Sequence, residues 1–142
     1  MPVTQSALAY IEQRSKSDPK APLIVEADGA TYTYAEAARV IREWSGWLEQ
    51  ESKRRRVRVA GLLENTAVPH LLHVAAAHAG VVYTSLSPLL RGKTLLDALD
   101  RSGITDIVVS GDDTLRRLGL DRLVFTLAAV GGEQLSDRFR CP

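Results

Sequence analysis

The apolar positions alternate along the chain between helical and extended patches. Ala7, Leu8, Tyr10 and Ile11 mark one face of a short amphipathic helix over Ser6–Ser15, stopped by Ser17-Asp18-Pro19. Leu23-Ile24-Val25 and Ala30-Thr31-Tyr32-Thr33 are extended runs on either side of Asp28-Gly29. That dipeptide predicts a hairpin with a type I′ turn, because both residues accept positive φ. Thr33 and Glu36 are spaced as a capping box. The helix they open carries Ala37, Val40, Ile41, Trp44, Trp47 and Leu48 on one face. Gly46 weakens it by about 1 kcal/mol without ending the pattern.

The pattern then changes character. Ser52-Lys53-Arg54-Arg55-Arg56 reads as a solvated loop before a strand over Val57–Leu63. Asn65 is placed to cap the next helix, with Pro69 in its first turn. That helix, with Leu71, Leu72, Val74, Ala75, Ala76, Ala77 and Ala79, is apolar on most sides and belongs in an interior; Gly80 stops it. Val81–Leu86 is β-branched and aromatic, hence a strand, ended by Pro88. Gly92–Ser102 is another amphipathic helix and Ile104–Val109 a short strand. Asp112 opens a short helix through Leu118, and Leu123–Val130 is a further strand. Residues 131–142 carry little pattern and read as a loose tail. Strands and helices that alternate from Arg56 onward imply right-handed crossovers. The expectation is therefore one α/β domain over residues 1–142, a mainly parallel sheet with flanking helices plus a small N-terminal β-hairpin.

Composition narrows the classes. The 142 residues are 45% apolar and 25% charged, as in an ordinary soluble domain, with no internal repeat. A net charge of +1 gives no field for nucleic acid or an anionic membrane. The basic run at 53–56 has no interleaved aromatic, which argues against an RNA surface. Cys141 is the one cysteine, so neither an internal disulfide nor a multi-cysteine metal site is available. The N-terminus lacks the basic and apolar regions of a signal peptide, and no apolar run approaches a membrane span. The cytoplasm is the expected compartment.

Candidate chemistry is sparse. His70, His73 and His78 share a helix, but His78 is about 140° around from His73 at 100° per residue. They do not converge as zinc ligands, and no metal site is expected. Ser85 and Ser87 lack the elbow that a nucleophile needs and read as turn residues. Trp44 fits the core stripe; Trp47 lies at its margin. No residue is assigned a catalytic role.

Four pieces in order carry a family resemblance. Ser17-Asp18-Pro19-Lys20-Ala21-Pro22-Leu23 is similar to a PDKPAL motif, and Tyr32-Thr33-Tyr34-Ala35-Glu36-Ala37 to LTYxEL. Leu62-Leu63-Glu64-Asn65-Thr66 is similar to LLPNS. Ala77-His78-Ala79-Gly80-Val81-Val82-Tyr83 through Leu86-Ser87-Pro88 is similar to LKAGAVYVPLDP. The chain thus resembles the N-terminal part of adenylate-forming enzymes: acyl-CoA synthetases, aryl-CoA ligases and peptide-synthetase adenylation domains.

The resemblance implies an ancestry in ATP-dependent carboxylate activation, with ATP, Mg and CoA as the parent family's cofactors. Ser87 replaces a position that is commonly acidic or Asn, and with His78 it is closer to aryl-CoA ligases. The family's Ser/Thr/Gly-rich phosphate loop ending in Pro-Lys-Gly does not occur in these 142 residues. No cofactor is therefore expected for the chain alone, and its expected function is that of a truncated or split acyl- or aryl-CoA ligase. Its partner would be the remainder of the enzyme as a separate chain. The alternative is a non-catalytic module that kept the fold and forms homodimers or binds another protein. By resemblance to acetyl-CoA synthetase-like members, Arg116 and Arg117 are the candidate ligands for a CoA phosphate; the ordinary reading is an exposed helix face.

Overall fold

Thr33 starts the longest helix. Its hydroxyl accepts the Glu36 N–H at 3.2 Å, and the Glu36 carboxylate accepts the Thr33 N–H at 2.9 Å, so the capping box forms as predicted. In the computed structural model, residues 6–109, 123–126 and 137–139 are described. The elements are α1 (Ala7–Ser17), β1 (Pro22–Val25), β2 (Thr31–Thr33), α2 (Tyr34–Arg54), β3 (Arg58–Leu62) and α3 (Ala67–Ala79). They continue with β4 (Val82–Ser85), α4 (Gly92–Arg101), β5 (Asp106–Val109), β6 (Leu123–Thr126) and β7 (Asp137–Phe139). The chain is an α/β fold: a mainly parallel sheet, flanking helices and a small antiparallel strand pair. Its main sheet runs β4-β3-β5-β6-β7, parallel except for the β6–β7 pair. The predicted short helix at 112–118 lies outside the described residues. Of the strand expected at 123–130, Leu123–Thr126 is described, and Asp137–Phe139, in the stretch of little pattern, pairs with it.

Two apolar layers cover the two faces, and β3 divides them by alternation. Val59 joins the layer formed by α1, α2 and α3, where Leu8, Ile41, Trp44, Leu48, Leu71 and Leu72 are all but inaccessible. Ala60 and Leu62 point to the opposite layer with Leu95 and Leu99 of α4, Ile107 and Val109. The apolar character of α3 on most of its sides is thus explained: it is pressed between the sheet and α2. Trp47 packs partly buried against the same layer, so it completes the core margin.

Three local expectations are corrected. The hairpin turn is not type I′: Gly29 has φ 91°, but no non-glycine residue has positive φ. Asp28 instead accepts the Ala30 N–H at 2.9 Å and Gly29 donates to the Glu26 carbonyl at 3.0 Å, a turn that needs one left-handed residue only. Asn65 does not cap α3. Thr66 is the N-cap and makes no side-chain cap bond; the Ala67 N–H is met by the Glu26 carboxylate at 2.7 Å, from the hairpin. The third correction concerns the basic run.

Residues 52–54 of that run are the last turn of α2, not a loop. Arg55, the C-cap, turns inward and donates from both Nη atoms to the Asp106 carboxylate at 2.7 Å each, and from Nε to Glu51 at 3.0 Å. Asp106 is fully buried at the start of β5, and the Arg55 side chain is 29% exposed. Thr105 donates to the same carboxylate and accepts the Arg58 N–H at 2.8 Å. One fork of hydrogen bonds thereby joins the end of α2 to the starts of β3 and β5. Its planar, bidentate geometry is what a guanidinium supplies and an ammonium does not.

Removing one partner leaves the other charged group half-solvated or buried. Arg55→Ala is expected to cost about 3 kcal/mol in urea unfolding, and Arg55→Lys more than half of that. Arg55→Met combined with Asp106→Leu recovers most of the loss, whereas a cost near zero for Arg55→Ala means the fork anchors nothing.

Candidate functional site

In an open α/β sheet, ligands bind outside the carboxyl ends of the strands. A cleft of ≈ 630 Å³ lies there, where β3 and β4 end against the first half of α3. The loop after β3 contributes Leu63, Glu64 and Asn65, and α3 contributes Pro69, His70 and His73. Tyr83 and Ser85 of β4 and the turn through Leu89 form the opposite wall. The surface is predominantly apolar, and among the described residues no lysine or arginine lines it.

Tyr83 decides the shape of the floor. Its ring lies over Gly61 of β3, where a Cβ would stand 2.2 Å from the phenolic oxygen and 3.0 Å from Cζ. A glycine inside a strand marks such a close approach. The edge of the ring meets His73, with centroids 5.7 Å apart and planes at 88°. The hydroxyl is buried and has no hydrogen-bond partner. Burial raises its pKa above the usual phenol value, and the nearby Ser85 offsets part of the rise. His70 Nε2 sits 3.3 Å from Asn65 Oδ1. The Ser87 hydroxyl accepts the Leu89 N–H at 3.2 Å, which is turn chemistry.

The structure brings His70 and His73 to this cleft, on the same side as Ser85 and Ser87, while His78 is not among its lining residues. Among the described residues no group of His, Cys, Asp and Glu is placed to hold a metal ion. Arg116 and Arg117 lie outside the described residues. Reading the sequence missed Tyr83 and Gly61 as a pair. The signal was present: a glycine amid Val59-Ala60 and Leu62, in a strand with no turn nearby.

A mainly parallel sheet with helices on both faces and a cleft at its carboxyl ends defines an open α/β fold. The chain belongs to the AMP-binding enzyme family, whose profile matches residues 11–137. A search of curated proteins returns no match. Among solved structures, VinN bound to L-aspartate is similar at 22% identity and a TM-score of 0.70, over 86% of this chain and 35% of that one. IdnL1 is similar at 16% identity and a TM-score of 0.73, over 99% of this chain and 28% of that one. A benzoate CoA ligase from Burkholderia xenovorans LB400 is similar at 18% identity and a TM-score of 0.67, over 81% and 23%. At these identities the likeness is one of fold. The chain spans from about a quarter to about a third of the length of these structures.

The floor geometry gives a test. Gly61→Ala must push the Tyr83 ring off β3, and is expected to cost about 1–3 kcal/mol of unfolding free energy. In a Tyr83→Ala background the same substitution costs little. Equal costs in the two backgrounds would show that the ring does not lie on Gly61.

Proposed function

We propose that the chain supplies the N-terminal α/β portion of an acyl- or aryl-CoA ligase-type enzyme and does not adenylate a carboxylate by itself. The observation that carries this reading is the pairing of a family match over residues 11–137 with coverage of only 23–35% of similar full structures. The cleft supports it. A nucleoside triphosphate needs cations and a row of backbone N–H groups with glycine freedom. The cleft offers apolar walls, two imidazoles and the Glu64 carboxylate instead, so it does not fit that ligand. ATP, Mg and CoA would be held by the remaining parts of such an enzyme. The role of these residues is a frame: the sheet fixes where the C-terminal ends of β3 and β4 stand. An aryl rather than aliphatic acid rests on Ser87 and His78 alone.

ATP–pyrophosphate exchange is the assay. The chain alone is expected to show no exchange above background with benzoate, a hydroxycinnamate or acetate. Co-expression with a chain carrying the phosphate loop and the rest of the fold is expected to give carboxylate-dependent exchange. Exchange by the isolated chain would overturn the reading, as would silence from every such pairing that forms a stable complex.

A further inference from the structure

The strand β4 is an end strand of the main sheet, paired only with β3 among the described residues. Which of its backbone groups are open follows from the ladder. The Leu86 N–H donates to the Gly61 carbonyl at 2.9 Å, so Leu86 faces β3. Backbone direction alternates along a strand, so Thr84 and Val82 face β3 as well, while Tyr83 and Ser85 present their N–H and C=O groups outward. Natural edges are blunted by charge, proline, a bulge or a cover. Residues 81–87 contain no charged residue and no proline, and the β3–β4 register runs without a bulge. Val82 is 44% exposed on this edge.

We infer that β4 is a self-pairing edge, which joins two copies of this chain antiparallel about a dyad at Thr84. The occupant is a second copy because the edge is complementary to itself. With Thr84 opposite Thr84 of the other copy, the outward groups of Tyr83 meet those of Ser85, and each strand donates and accepts at both positions. On the α4 face Val82 then stands opposite Leu86, an apolar pair, and the threonines face each other, a favourable cross-strand match. A dyad normal to the sheet keeps α3 of both copies on one face. No like charges meet, and the net charge of +1 adds no repulsion. A charged strand from another protein would find no complement on this neutral edge. The pairing does not rest on the ligase reading, and its readouts are independent of pyrophosphate exchange.

The test is mass by analytical ultracentrifugation of the full chain, with amide hydrogen exchange resolved at Tyr83 and Ser85. The expected result is a dimer of the 15.5 kDa chain in which both amides are protected, and in which protection falls on dilution. Ser85→Pro removes an outward N–H without touching the β3 ladder, and Thr84→Lys places like charges opposite each other at the dyad. Each is expected to weaken the dimer by roughly tenfold or more, with salt partly rescuing only Thr84→Lys. If Ser85→Pro does not fold, Thr84→Lys decides. A monomeric wild-type chain, or a dimer untouched by the folded variants, overturns the proposal.

Discussion

A buried carboxylate at the start of a central strand is tolerable only if something satisfies it, and here that something is Arg55. Asp106 has no exposed surface, and its two oxygens take both Nη groups of Arg55 at 2.7 Å. Burying an ion pair gains little net stability over an apolar substitute. Its contribution is position. The guanidinium leaves the end of α2, 51 residues earlier in sequence, and fixes where β5 begins relative to β3. Val59 then pairs with Asp106, and the register of β3 between β4 and β5 follows.

The cleft inherits its geometry from that register. β3 places Gly61 beside Ser85 of β4, which lets the Tyr83 ring lie down across the glycine and close the floor. From the other side, the Glu26 carboxylate ties the hairpin to the first N–H of α3, so the wall carrying His70 and His73 is held at its N-terminal end. The result is a largely apolar hollow at the carboxyl ends of β3 and β4, with no lysine or arginine among its described lining residues. The chain thus joins the fold of the AMP-binding enzyme family to a cleft whose described lining is largely apolar.

Local rules carried much of the architecture. The capping box at Thr33 and Glu36, the apolar α3 and its glycine stop, and the alternation of strands and helices all read directly, because each depends on residues within a few positions of one another. What did not read depends on distant partners. Arg55 looks like one cation in a solvated run until Asp106 arrives beside it. Asn65 has the chemistry of a helix cap, but Glu26, a distant residue, takes the task. At Asp28-Gly29 the dipeptide announces a turn without naming its type, since the Asp28 side chain can satisfy Ala30 and spare its own backbone a positive φ. In the site, the family resemblance supplied the class; the Tyr83–Gly61 contact needed the β3–β4 register.

The main sheet is organised on β3 and pinned by the Arg55–Asp106 fork. Native-state hydrogen exchange on the isolated chain is the decisive measurement, because amides in the most stable unit open only with global unfolding. Val59–Leu62 and Ile107–Val109 are expected to exchange slowest of all described residues, with the β1–β2 hairpin opening at lower free energy. Exchange of the β3 amides as fast as those of the hairpin would contradict it.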